Sequence, residues 1–382
     1  MTAPSSTNSP DRPLAGVTVV DLTSNVAAPF AGAVLADLGA DVTHVEGPDG
    51  DDCRRMAPLM GDESAYFHVV NRNKSGIRLD IRLDDDRRRL EALLAGADVF
   101  LCNLRPGKLA RHGLDEASLR ERHPRLIHAA LSAYGTEGPE RDRPGYDAVL
   151  QARTGIAAVT GTADGPPVRV GVSILDVGAG TWLALGVIAA LYRREATGRG
   201  SAVATSLFET GASWAGYHVA AHQVTGLPSA RHGSGHPAFA PYGIFRTGSG
   251  EICLGIGSDA LFARLCEALK RPGLTADARY RTNSDRSANA TALRLDLEAA
   301  MADASAAELA DRLGRAGLPV DAVCLPEDLL SDPQARANAV MGSVPLPGRP
   351  PLAIPRLPLT FDGSRPPIRS GAPPWEPAPG QT

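Results

Sequence analysis

The sequence predicts an α/β fold: a Rossmann-like, mainly parallel sheet in a large domain, followed by a smaller α/β domain. Three observations carry this expectation. Short β-branched runs alternate with helical patterns from Gly16 to Ser132. Several of those runs are almost continuously apolar, as strands are when both faces of a parallel sheet are covered. A glycine-, histidine- and proline-rich connector, Arg231 to Pro241, then separates this region from a second, shorter alternation.

Gly16–Thr23 (GVTVVDLT) predicts the first buried strand. Ala27–Leu38 carries small and apolar residues at helical spacing, with Pro29 near its start and Gly39 at its end. Asp41–Glu46 (DVTHVE) is a second strand, completing a strand–helix–strand unit. Gly76–Ile81 reads as a strand, Asp84–Ala95 as a charged amphipathic helix and Asp98–Leu104 as another strand. A helix over Glu116–Arg122 leads into the strand Arg125–Ser132. Ligands of such sheets lie beyond the carboxyl ends of the strands, so the loops after Thr23, Glu46, Leu104 and Ala133 should converge on one.

Tyr146–Val159 and Val177–Ala196 read as apolar helices, Ala202–Leu207 as a strand and Phe208–Val224 as a helix. Past the connector, Gly243–Ile256 reads as a hairpin turning at Gly248–Gly250. Helices over Asp259–Lys270, Ala288–Ala302 and Ala306–Ala316 follow, with a strand at Val320–Cys324. From Ser343 the chain is proline-rich and extended. The expected division is a disordered start over 1–12, a large domain over 13–225, a linker over 226–235, a small domain over 236–328 and a C-terminal return to the large domain over 329–382.

Composition narrows the function. The 382 residues are 43% hydrophobic and 21% charged, ordinary for a soluble globular protein. A net charge of −4 and the absence of a dense Lys/Arg run exclude a nucleic-acid binder. Arg87-Arg88-Arg89 and Arg193-Arg194 lie on expected helices and read as solvated faces. The five cysteines (Cys53, Cys102, Cys253, Cys266, Cys324) are scattered, with no C-x-x-C, which points to a reducing compartment. Met1–Arg12 lacks the apolar core of a signal peptide. The longest apolar run, Trp182–Tyr192, is about half of what a bilayer requires. A cytoplasmic protein without a membrane partner is expected.

Asp176 is the outlier. Its neighbourhood, Val168–Trp182 (VRVGVSILDVGAGTW), offers few other polar side chains. Burying a carboxylate costs several kcal/mol unless something holds its charge. As the N-cap of the helix that follows, Asp176 would accept backbone N–H bonds, remain ionised and be firmly aimed as a nucleophile. An aspartate of ordinary pKa, about 3.9, is overwhelmingly charged at neutral pH unless desolvation raises that value by about three. Gly178 and Gly180 would leave room for a substrate to approach the backbone.

With these residues stand seven strings in order: PLAGVTVVDLT (Pro13–Thr23), LADLGADVTHVEGPDGDD (Leu35–Asp52), NRNKSGIRLDI (Asn71–Ile81), ADVFLCNLRPGKLARHGL (Ala97–Leu114), RPGYDAVLQARTGIAAVTG (Arg143–Gly161), VGVSILDVGAG (Val170–Gly180) and HPAFAPYGIF (His236–Phe245). Together they resemble the family III CoA-transferases, part of a superfamily that also holds acyl-CoA racemases. The resemblance runs from Pro13 to about Pro347. It implies a catalytic aspartate at Asp176 that carries first an acyl group, as an anhydride, and then CoA, as a thioester. It implies acyl-CoA and a carboxylic acid as substrates, no permanently bound metal or organic cofactor, and an interlocked homodimer. For CoA contacts it implies Arg82, Asn103, Arg105 and Arg111, with Val26 in the first βα turn and Tyr146 against the acyl group. Lys74 lies in a matching string as well. Where many relatives carry a basic residue after Val45-Glu46, this chain has Gly47, which puts one CoA contact in doubt; Arg54 or Arg55 could compensate.

Three rival readings make different demands on these residues. A racemase would carry a histidine where this chain has Tyr146, and a phenol is a poor base at neutral pH. Asp147 beside it is expected to cap its own helix. A non-catalytic acyl-CoA-binding protein would have lost Asp176. A dinucleotide enzyme would show G-x-G-x-x-G where the first turn reads TSNVAAP, Thr23–Pro29. His232 and His236 flank HGSGHP, but no third metal ligand is near them in sequence, and Gly233 and Gly235 suit a loop that closes over the acylated aspartate.

Overall fold

The computed structural model describes residues 12–61, 63–346 and 348–375; the expected disordered start, apart from Arg12, lies outside them. Six strands form one sheet: β1 (Thr18–Leu22), β2 (Asp41–Glu46), β3 (Ser75–Arg78), β4 (Val99–Cys102), β5 (Ile127–Ser132) and β6 (Ala202–Ser206). Every neighbouring pair is parallel, in the order β3-β2-β1-β4-β5-β6. The order reverses between β1 and β4, so the crevice beyond their carboxyl ends is the topological switch point.

Alternation along β1 sends its side chains into two separate cores. Val19 packs with Ala28, Ala31 and Leu35 of α1 (Ala27–Asp37), and Val20 packs with Leu90 and Leu94 of α2 (Asp84–Ala95). Helices therefore cover both faces, as the apolar strands require.

The first core also takes the long helix. Tyr146–Val159 is not continuous: α3 (Asp147–Arg153) stops at Thr154, whose hydroxyl bonds Leu150 O at 2.7 Å, and Gly155 follows at φ +86 before Ile156–Val159. The next helix, α4 (Ile174–Thr197), starts three residues before the position read from its apolar run and ends at Gly198, φ +67. By length and composition α4 could cross a membrane, which the eleven-residue reading missed. Half of its apolar window is buried inside the fold, with Leu183, Val187 and Leu191 in the core. The helix expected over Phe208–Val224 is two, α5 (Leu207–Trp214) and α6 (Gly216–Thr225). Short helices at Ala65–Asn71 and Pro106–Arg111 escaped the sequence reading because one or two turns carry too little periodicity.

The chain divides into two compact units. The larger holds residues up to Ile156, Val170–Val219 and those from Leu329 on; the smaller holds Ala157–Arg169 and Ala220–Asp328. Arg231 ties the two pieces of the smaller unit by donating to Ala158 O, Thr162 O and Gly165 O. Its three-stranded antiparallel sheet (Tyr242–Arg246, Glu251–Gly255, Val320–Ala322) packs on helices around Ile252, Leu265, Leu297 and Leu309. In the larger unit the tail pairs Met341–Val344 with Leu352–Pro355, then bonds Asn73 Oδ1 through Arg369 N and Ser370 N.

Candidate active site

Asp176 is half-buried in the first turn of α4, as its third residue. It is not the N-cap; Ser173 holds that place without a side-chain cap bond. The N–H groups expected to hold Asp176 are taken by another carboxylate. Asp147 Oδ2 accepts from Leu175 N at 2.8 Å and from Asp176 N at 3.4 Å. Asp147 thus caps α4 rather than its own helix α3, where it is the first residue. Gln151, one turn on, fixes it by donating to Asp147 Oδ1 at 2.5 Å and accepting from Val170 N at 2.8 Å.

This arrangement overturns the expected charge state. Burial, and then the charge of Asp147, push the Asp176 carboxyl up to about 7. Near neutral pH it is shared between acid and carboxylate.

Gly178 and Gly180 serve packing, not substrate access. A side chain at Gly178 would run into the Trp214 ring, and one at Gly180 would strike the Ala27 carbonyl oxygen. Gly180 therefore lets α4 lie directly on the start of α1. Residues four apart share a helix face, so Asp176 sits one turn away on the side that meets the β1–α1 turn. That turn, Ser24–Val26, belongs to the switch-point crevice.

The other expected residues divide into two groups. Val26 is half-buried at the N-terminal boundary of α1, within the turn. Arg105 and Arg111 are exposed on the segment after β4, and Tyr146 is exposed beside Asp147. These remain open to a ligand. Asn103 does not: its Oδ1 accepts from Ser24 N at 3.1 Å and its Nδ2 donates to Ser24 O at 2.8 Å. Arg82 is exposed but held by Asp80 at 2.8 and 2.7 Å. Lys74 is fully buried, with Nζ on Asp21 Oδ2 (2.8 Å), Asn71 Oδ1 (2.7 Å) and Pro29 O (2.8 Å). It is an internal cation that fixes β1 to α1.

Neither arginine expected to compensate for Gly47 is free to do so. Arg54 is bound to Glu46 at 2.7 and 2.5 Å, and Arg55 to Asp52 at 2.6 Å. A further basic group beside Gly47 is Arg78 at the end of β3. It donates to Pro48 O beside Gly47, and its guanidinium lies 4.7 Å from the Trp375 ring. Parallel pairing of Glu46 with Arg78 brings it there, and the strand register alone could have revealed it.

The buried thiols of Cys53 and Cys102 are not activated. Burial, and then the charge of Asp51, push the Cys53 thiol up to about 12; burial and Asp21 do the same to Cys102. His236 stacks on Phe239 at 4.9 Å in the smaller unit, and Gly233 N bonds Gly161 O at 2.9 Å. Among the described residues no group of three His, Cys, Asp or Glu is placed to hold a metal.

The chain is similar to known proteins over most of its length. The model of CoA-transferase family III matches residues 14–376. The chain is 37% identical, over 346 residues and 89% of each chain, to an acetyl-CoA:oxalate CoA-transferase of Acetobacter aceti. It is 31% identical, over 94% of each chain, to a succinate–glutarate CoA-transferase of Agrobacterium fabrum. A solved CAIB/BAIF family protein from Brucella suis superposes with a TM-score of 0.87 at 32% identity, covering 96% of this chain and 97% of that one. Since the match spans the parallel sheet, its switch point and the helix that bears Asp176, the chain belongs to CoA-transferase family III.

Proposed function

We propose that this CoA-transferase moves coenzyme A from an acyl-CoA donor to a carboxylic acid through Asp176. The Asp176 carboxylate attacks the thioester carbonyl, the C–S bond breaks, and CoA thiolate leaves an acyl-aspartyl anhydride. The thiolate attacks the aspartyl carbonyl and expels the donor carboxylate, giving an aspartyl-CoA thioester. The acceptor carboxylate displaces the thiolate to form a second anhydride. Thiolate attack on the acceptor acyl carbon then releases the new acyl-CoA and restores Asp176. Electrons and charge balance with no redox partner.

One observation carries this reading: the Asp176 carboxyl, poised at about 7, stands on the helix face that meets the switch-point turn. A carboxylate is a weak nucleophile, so the reaction depends on positioning, which can contribute effective molarities of about 10⁵–10⁸ M. Water must be excluded while the anhydride lasts. Val26, Arg105 and Arg111 are the proposed CoA contacts, with Arg82 joining if it leaves Asp80, and Tyr146 is the proposed contact of the acyl group. The relatives named for oxalate, succinate and glutarate favour a short dicarboxylic acid as acceptor.

A homodimer is proposed with it. In support, α6 buries none of its residues, and Trp182, Leu185, Tyr192 and Tyr217 are exposed apolar groups on α4 and α6. The five thiols are all free, which suits a cytoplasmic enzyme. The test is Asp176→Asn: CoA exchange should fall on the order of 10⁴-fold. Borohydride added during turnover should change the mass of the peptide holding Asp176. Exchange at the normal rate, or modification of another peptide, would reassign the nucleophile.

A further inference from the structure

The Ser24–Val26 turn is held from two directions. Asn103, reaching across the switch point from the end of β4, takes both backbone groups of Ser24. Asp51 holds the next residue, its Oδ1 accepting from Asn25 N and from Cys53 N, both at 2.9 Å. Asn25 sits at φ +70, in the left-handed region that asparagine tolerates better than most non-glycine residues.

Asp51 is in turn built into the sheet. It is 3% exposed, and its own N–H donates to Glu46 Oε2 at 2.9 Å, at the last residue of β2. Glu46 is locked by Arg54. Behind Asp51 stands His44, whose Nε2 is 3.8 Å from Asp51 Oδ2 and whose Nδ1 is 3.3 Å from Asp21 Oδ2. The loop after β2, tied to Glu46, and the residue that follows β4 thus each extend one side chain to the same three-residue turn.

We infer that Asp51 is a positioning residue for coenzyme A: with Asn103 opposite, it fixes the turn against which the thioester end of an acyl-CoA lies. The inference rests on the proposed reading that CoA occupies the switch-point crevice beside Asp176. A hydrogen bond from Asn25 N to a fixed oxygen keeps the turn in one shape before the ligand arrives, so the ordering cost is not taken from binding.

The test uses the full chain, calorimetric titration with CoA, and steady-state exchange. Asp51→Ala should raise the Kd for CoA and the KM for acyl-CoA by about tenfold or more, with kcat and the KM for the acid acceptor changed less than about threefold. Asp51→Asn, whose amide oxygen can still accept both N–H bonds, should stay within about threefold of the parent. Asn103→Ala should follow Asp51→Ala in direction and serves as the measurement if that variant does not fold. Unchanged CoA binding in the alanine variants would overturn the inference, as would Asp51→Asn failing as badly as Asp51→Ala. A folded parent chain that binds no CoA would overturn the inference together with the reading beneath it, whereas a failure confined to the variants leaves that reading standing.

Discussion

Asp147 caps the helix that presents Asp176, its Oδ2 lying 2.8 Å from Leu175 N and 3.4 Å from Asp176 N. One carboxylate therefore orients the other and also resists its ionisation. The two effects oppose each other, and a single substitution separates them.

The pH profile of kcat/KM for the donor should rise through about 7, because the proposed reaction needs the ionised Asp176 and its carboxyl is protonated below that value. Asp147→Asn keeps an oxygen for the Leu175 N–H and removes the charge. The rising limb should then move to lower pH without reaching the ordinary 3.8, since burial is the larger cause. A limb that stayed in place would show that Asp147 acts only as a cap.

Stability should respond as well. Asp176 binds a proton more tightly folded than unfolded, so its contribution is present at acid pH and lost as pH rises through about 7. Asp176→Asn should raise the melting temperature relative to the parent more at pH 8 than at pH 5. The shift from 3.8 to about 7 corresponds to at most about 4 kcal/mol, and less once solvent screening of a half-buried group is counted. Thermal unfolding at the two pH values decides it.

Gly180→Ala gains helix propensity of about 1 kcal/mol but drives a methyl onto the Ala27 carbonyl oxygen, a backbone atom with little freedom to yield. Overpacking of this kind costs about 1–3 kcal/mol. A net loss of stability, with exchange activity falling because α4 and the β1–α1 turn are pushed apart, is the expected outcome. A variant as stable and active as the parent would refute the close approach.

Lys74→Met leaves Asp21 buried without its cation. Burial alone would raise the Asp21 carboxyl, yet Lys74 and His44 hold it well below the usual range, so it is ionised and loses its main partner. The expected cost is about 3–5 kcal/mol, read from the urea midpoint. Lys74→Arg should not rescue it, because Gly32 packs against the amine and a guanidinium has no room.

Much of the fold was legible because it depends on local patterns. Val19-Val20 and Val42 are strand residues by shape and apolar on both sides, and Asp84–Ala95 is amphipathic over three turns. The breaks at Thr154 and Ala215 went unread, although a glycine, Gly155 or Gly216, follows each, because a single glycine inside a helical pattern is often tolerated. At the site, Asp176 stood out as a lone carboxylate in an apolar stretch. Its cap was misassigned because Asp147 lies 29 residues away, and no periodicity links them.

The sequence by itself determined that this is a doubly wound α/β chain of the CoA-transferase kind with one exceptional aspartate, because strand and helix periods, glycine placement and ordered motifs are written residue by residue. Tertiary structure alone decided what each polar group does: that Asn103 clamps a turn, that Lys74 is an internal counter-ion, that Gly178 and Gly180 seat helices, and that Asp176 stands near 7 instead of far below it. Charge and hydrogen bonding act through space over a few ångströms, and residues far apart along the chain become neighbours only once the sheet has set the strand ends side by side.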